Sequence, residues 1–417
     1  MTRVSQASPT PPDSDGATKA IVAAFDLRNL PDAFLEDPYP VYRLLRETQP
    51  VHLMPDGSYF LTRHGDLDRI YRDTATFSSD KTVEFAPKFG DTPLYEHHTT
   101  SLVFNDPPLH TRVRKLIAGA LTPRAIATME PGLVALVDRL LDAMEARGEV
   151  DLIADFASAI PVEIIGNLLA VPEADRGPLR DWSLAILGAL EPSLTPQQEE
   201  RGNRAVTEFC AYLRTLVADR RRSPGDPDKD VLTRLIVGDG ADRLDERQLL
   251  HNCIFLLNAG HETTTNLIGN ALEALWRFPD EKARLVAEPD LIKPAIEEVL
   301  RFESSNQLGN RRCLAACEIG GVPLEAGTLL TLCIGAANRD PAVFAAPEVF
   351  DISRRPNRHL AFAAGPHACA GLSLARLEGQ VAIGRFLARF ANYTITARTR
   401  GMRARFRGFA ALHATVR

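Results

Sequence analysis

A single uninterrupted helical stretch, DERQLLHNCIFLLNAGHETTTNLIGNALEALWRF, runs from Asp245 to Phe278. Asp245 is placed to cap it and Pro279 to stop it. At 1.5 Å per residue such a helix spans roughly 50 Å, most of the width of a large domain. Between Cys253 and Leu257 it is apolar on every side, a pattern that requires burial all round. The fold must therefore wrap other elements around this rod.

The rest of the chain supplies them. LVALVDRLLDAMEARG repeats apolar residues every three or four positions and ends on Gly148, and a second helix ends in the basic run before SPGDPDKD. That cluster, residues 223 to 230, reads as a surface loop, because helical patterning resumes at VLTRLI with no shift in composition. Strand signals are few and short: GSYFLTR, EIGGVPLEAGTLLTLCI and NYTITAR. The expected fold class is mainly α, with small β-sheets. Residues 1–20 read as a disordered lead-in, rich in Ser, Pro and Asp, ahead of one domain over 21–417. A net charge of −6 offers no basic excess for nucleic acid, and no apolar run is long enough for a membrane span, so a cytoplasmic monomer is expected. Six dispersed cysteines fit reduced packing residues better than a disulfide framework, the Cys313 and Cys317 pair included.

Into the buried rod the sequence inserts Ala259, Gly260, Glu262 and Thr263. A mid-helix glycine costs about 1 kcal/mol against alanine, and a buried carboxylate costs more unless paired or protonated. Read alone, Glu262 fits equally well on a solvated stripe with His261 and Asn266. A threonine hydroxyl at 263 can bond the carbonyl of Ala259 and leave a polar notch in the helix.

FAAGPHACAGLSLARLE, residues 362 to 378, sets Cys369 between glycine-containing turns, just ahead of a predicted helix. Unpaired backbone N–H groups there favour a thiolate, suited to a bulky metal cofactor or, with His367 as base, to a nucleophile. The spacing by itself leaves both open. Phe362, Gly365, His367, Cys369, Ala370, Gly371, Leu374, Ala375, Arg376 and Glu378 spell a pattern that resembles the haem-binding signature of the cytochrome P450 family of haem-thiolate monooxygenases. The resemblance implies that Cys369 is the axial ligand of a haem b iron, with Phe362, Gly365 and Gly371 close to the macrocycle. Ala363 stands where the family commonly has glycine, and its methyl is expected to tighten the turn. AGHETT is similar to the family's distal motif, which implies a thin spot at Ala259 and Gly260, an acid in Glu262 and an alcohol in Thr263.

Further motifs follow in the family's order. DPPLHTRVR reads as a helix capped by Asp106, with His110 and Arg114 on one face, by itself a solvated basic face. The resemblance instead makes His110 and Arg114 propionate partners, together with His367 and Arg311, Arg312 being an alternative to the last. Glu298 and Arg301 in EEVLR lie off the apolar stripe and read locally as a surface pair, whereas the resemblance implies a buried network with Arg354. Ser305 replaces the family's usual proline.

The implied activity is insertion of an oxygen atom from O2 into an apolar small molecule, with protons passed by Glu262 and Thr263. The implied electron source is a separate ferredoxin and its reductase, ultimately NAD(P)H, docking on a basic patch of Arg354, Arg355, Arg358, His359 and Arg376. A peroxide-driven enzyme, a haem-thiolate sensor and a haem-free cysteine hydrolase are the alternatives. Segments placed to line the pocket include Phe85, Phe89, His97 and His98, DWSLAILGAL and FRGFAAL.

Overall fold

The structure is a computed structural model that describes residues 14–227, 230–238 and 243–417. The central helix runs Glu246–Arg277. Asp245 caps it by accepting from the Gln248 N–H, and the Gln248 side chain accepts in return from the Asp245 N–H. Pro279 opens the next helix, Pro279–Ala287, so the rod ends where the proline requires. Helices Ala159–Leu168, Leu179–Gly188, Pro196–Arg222 and Leu372–Arg389 pack around it.

The rod joins two apolar cores. Its C-terminal half, Leu267 to Leu275, belongs to a core with Leu133, Phe156, Val299, Ile383 and Phe386. Its N-terminal half, Leu249 to Leu257, belongs to a second core with Phe85, Leu94, Ile186, Phe209 and Leu213. Residues 258 to 266, the small and polar stretch, contribute to neither core.

Sheets are minor. The largest has the spatial order Val51–Leu53, Tyr59–Leu61, Leu329–Cys333, Leu308–Cys313, Phe77–Ser78. Leu308 lies opposite Cys333 in its antiparallel centre, and Tyr59 opposite Leu330 in its one parallel pairing. A three-stranded sheet places Phe409–Thr415 between Glu149–Asp151 and Thr394–Arg400, and Cys317–Ile319 with Val322–Leu324 form a hairpin. The three strand signals fall on real strands. Cys313 and Cys317 are free, their sulfurs 3.9 Å apart.

Several expectations need correction. Of the lead-in, residues 1–13 lie outside the described residues, while Ser14–Ala23 is a helix whose Val22 joins an apolar cluster with Phe25 and Phe60. The basic run does end a helix at Arg222, and helix resumes at Val231; residues 228–229 of the intervening loop lie outside the description. Asp106 does not cap the next helix, which starts at Leu109 after Pro108. Its carboxylate instead accepts from the Ser78 hydroxyl and, at 2.9 Å, from the Ser79 N–H.

Glu298 and Arg301 are fully buried, against the local reading of a surface pair. Arg301 donates to both Glu298 oxygens at 2.8 Å and to the carbonyls of Asn338, Pro347 and Val349. Arg354 Nε adds two bonds of 3.1 Å to the same carboxylate. The amphipathic stripe misled because the segment 338–354 folds over the helix's polar face and brings its own carbonyls as acceptors.

Candidate active site

A cavity of about 330 Å³ opens at the seam between the two cores. The central helix contributes Asn258, Ala259, Gly260, Thr263 and Thr264, and the loop after residue 361 contributes Phe362, His367, Cys369 and Gly371. Thr263 Oγ1 donates to the Ala259 carbonyl at 2.7 Å, the notch expected from sequence. A Cβ on Gly260 would come within 2.4 Å of Ile165 Cδ1, so a larger residue there would have to displace that side chain of helix Ala159–Leu168.

The cysteine loop is held by its backbone. The Cys369 N–H donates to the Phe362 carbonyl at 2.9 Å. Gly365 has φ +66°, and a Cβ there would sit 2.5 Å from the Tyr71 carbonyl oxygen, so no other residue fits. Gly371 has no atom within 4 Å of where its Cβ would be, which leaves that part of the cavity wall open. Ala363 adopts φ 55°, a left-handed conformation that strains any L-residue, so its effect is on the backbone rather than a methyl tightening the turn. Burial pushes the Cys369 thiol up, opposed by the Gly371 N–H and by the charges of Arg114 and Arg376.

His110, Arg114, Arg311 and His367 line the same cavity, and Arg312 does not. The His110 and His367 rings lie 3.9 Å apart. Burial lowers the basicity of both, His367 to about 3 with Arg311, His110 and Arg114 adding to the effect. His110 Nε2, His367 Nε2 and Arg311 Nε are buried without a hydrogen-bond partner. Among the described residues Asp106 is the one carboxylate whose charge acts on His110 and Arg311, and it is already engaged by Ser78 and Ser79. Several donors with no anion among them form a receptor for an acidic group.

Glu262 is not among the lining residues. His261, Glu262 and Asn266 are all buried, so the solvated stripe is excluded. The Glu262 carboxylate pairs with Arg403, which also bonds Glu191 at 3.1 Å. Burial pushes Glu262 up to about 7, with Arg403 opposing. Of the expected pocket segments, His97, His98, Leu187, Leu190 and Phe406 line the cavity, while Phe85 meets the His98 ring edge-on and Phe89 lies tilted against it. In the proposed basic patch, Arg354 is engaged with Glu298, and His359 and Arg376 share Glu297, leaving Arg355 and Arg358 exposed. Sequence reasoning missed Arg403 and Arg405. The available signal was RARFR, arginine at alternate positions in an extended segment.

The family model described as Cytochrome P450 matches residues 189–409. The chain is 35% identical to the Biotin biosynthesis cytochrome P450 of Bacillus subtilis (strain 168), over 85% of this chain and 90% of that protein.

The chain belongs to the cytochrome P450 family.

It is also 37% identical to Cytochrome P450 107B1 of Saccharopolyspora erythraea, over 91% of this chain and 94% of that protein. A solved structure of P450BioI in complex with hexadec-9Z-enoic acid ligated acyl carrier protein superposes with a TM-score of 0.88 at 34% identity, covering 93% of this chain and all of that one. The fold is that of the cytochromes P450, mainly α with small sheets, and the protein is a haem-thiolate monooxygenase that uses O2. Its residues fit the group: a half-buried thiol in the cavity wall, an open wall at Gly371 and unpartnered basic atoms suit a flat macrocycle bearing two carboxylates. Among the described residues no helix is long and apolar enough to cross a membrane.

Proposed function

We propose that this cytochrome P450 hydroxylates a largely apolar small organic molecule in the cavity at the core seam, as one catalytic domain over residues 21–417. The observation that carries the reading is that Cys369 and the notch at Ala259, Gly260 and Thr263 line one cavity. Cys369 would ligate the iron, and His110, Arg114, Arg311 and His367 would hold the propionates. Phe362, Gly365 and Gly371 would shape the bed for the ring. When bound, the haem supplies the redox chemistry that activates O2 toward a C–H bond.

The remaining work falls to the chain's own groups. Thr263 Oγ1 is a hydroxyl in the cavity wall whose own proton goes to the Ala259 carbonyl, so its lone pairs can accept from and hold a proton donor on the reacting side. Glu262, behind that wall and half-protonated near neutral pH, is the reservoir, with Arg403 orienting its carboxyl. Replacing Glu262 by Gln is expected to remove a pH inflection near 7 from the oxygenation rate while leaving haem content unchanged; an unaltered profile refutes that role. Electrons are proposed to come from NAD(P)H through a separate ferredoxin and reductase in the cytoplasm, with Arg355 and Arg358 as the exposed part of the docking face.

The test of the whole is spectroscopic. The reduced protein with carbon monoxide should give the absorption band of thiolate-ligated haem, and Cys369→His should replace it with that of histidine ligation. A colourless preparation, or a Cys369→Ser variant that still oxygenates, refutes the reading.

A further inference from the structure

The cavity has a polar end that the haem-holding residues do not account for. His98, Ser305, Asn306, Asn310 and Arg405 line it. They come together because segment 305–307 pairs with 405–407. The Gln307 N–H donates to the Arg405 carbonyl and the Arg407 N–H to the Ser305 carbonyl, both at 2.8 Å, and Asn306 bridges Phe406.

Arg405 is a cation held only by neutral acceptors. Its Nε donates to the Leu190 carbonyl at 3.1 Å, Nη1 to the Leu308 carbonyl at 2.8 Å, and Nη2 to Asn310 Oδ1. Each terminal nitrogen carries a second N–H, and among the described residues no carboxylate lies within ion-pair distance of the side chain. The two carboxylates whose charge reaches it are Glu191 and Glu84. Glu191 is taken by Arg403 Nε and by the N–H groups of Ala404 and Arg405, and Glu84 by Lys81.

On the same cavity wall stand two groups able to donate that have no partner, His98 Nε2 and Ser305 Oγ. His98 and Ser305 are buried, at 1% and 6% exposure, so water at the protein surface does not satisfy them. Burial and the nearby cations Lys88 and Arg405 push the His98 imidazole down to about 3, so it is neutral and can donate through one nitrogen. An uncompensated cation and orphaned polar atoms are costly in a cavity wall unless a ligand completes them.

We propose that Arg405, with His98 and Ser305 lining the same end, receives a carboxylate carried by the substrate, whose apolar body lies along Leu102, Phe104, Leu187, Leu190 and Phe406. The N–H left on each terminal nitrogen of Arg405 forms a fork that matches the two oxygens of a carboxylate. The proposal rests on the cavity being the substrate site of a haem-thiolate enzyme, and the experiment separates the two.

The haem-loaded protein is titrated with ω-(imidazol-1-yl)alkanoic acids of graded chain length and with the matching 1-alkylimidazoles, and binding is read from the shift of the Soret band. Both series bear the same iron-ligating ring; one carries a carboxylate at its far end. At the best chain length the acid should bind at least about tenfold tighter than its alkyl partner. Arg405→Gln should abolish that preference while leaving the alkyl series within about threefold, and Arg405→Lys should retain part of it. Haem content and the carbon monoxide spectrum report whether each variant has folded, and the wild-type comparison needs no variant. Equal affinities at every chain length, or a preference that survives Arg405→Gln in a folded variant, overturn the proposal. No Soret shift with either series overturns the haem-thiolate reading beneath it.

Discussion

Replacing Arg301 by Met tests how the segment 338–354, which precedes the loop that carries Cys369, is fastened. Arg301 is fully buried, gives Glu298 two parallel bonds of 2.8 Å, and ties down the carbonyls of Asn338, Pro347 and Val349. Methionine fills much of the volume but donates nothing. Breaking a buried pair from one side costs about 3–5 kcal/mol, because the other charge stays buried. Glu298 keeps Arg354 Nε, the Asp351 N–H and Asn357 Nδ2, and Val349 keeps Arg354, so the lower end of that range applies, about 3 kcal/mol. Arg354→Met, at a side chain 10% exposed and with Arg301 still in place, should cost only about 1–2 kcal/mol. Urea denaturation followed by the Soret band and by far-ultraviolet circular dichroism gives both values. If Arg301→Met costs less than about 1 kcal/mol, the range of an exposed pair, the reasoning from burial fails. The same follows if the two variants cost the same.

Three further predictions concern the loop and the helix after it. Ala363→Gly should stabilise the protein by about 0.5–1 kcal/mol, since relief of a left-handed alanine outweighs the added freedom of glycine in the unfolded chain; a lower urea midpoint refutes this. Gly365→Ala should strip haem from the purified protein, because its Cβ would press on the Tyr71 and Arg72 backbone; a normal haem-to-protein ratio contradicts the geometry. Glu378 is pushed up to about 8 by burial, so its contribution to stability is complete below the ordinary carboxylate value of 4.5 and is lost as pH rises through 8. Glu378→Gln should therefore flatten the fall of the urea midpoint between those limits, and an unchanged slope would show that another group sets it.

What the sequence made legible was local. The central helix begins and ends at its capping aspartate and its stopping proline, because both signals act within one turn. Cys369 was legible for the same reason, its loop being written in consecutive residues. The neighbours of Glu262 were not. Arg403 is 141 positions away and Glu191 is held from 212 positions away, and nothing near any of them announces the meeting. The Glu298 network failed for a related reason: helical periodicity reports which face is apolar, and cannot report that a distant segment bringing acceptors will cover the polar one. Arg405 shows the limit most clearly, since its function depends on what it lacks, a carboxylate, and an absence leaves no trace in a local pattern.

The meeting of two apolar cores along one rod has a thermodynamic corollary. Each half packs its own oil drop, and although Leu121 and Met129 touch both, much of the zone where they face each other is the wall of the cavity. Loss of the prosthetic group should therefore uncouple the halves, so that calorimetry of the haem-stripped protein resolves two melting events where the loaded protein shows one.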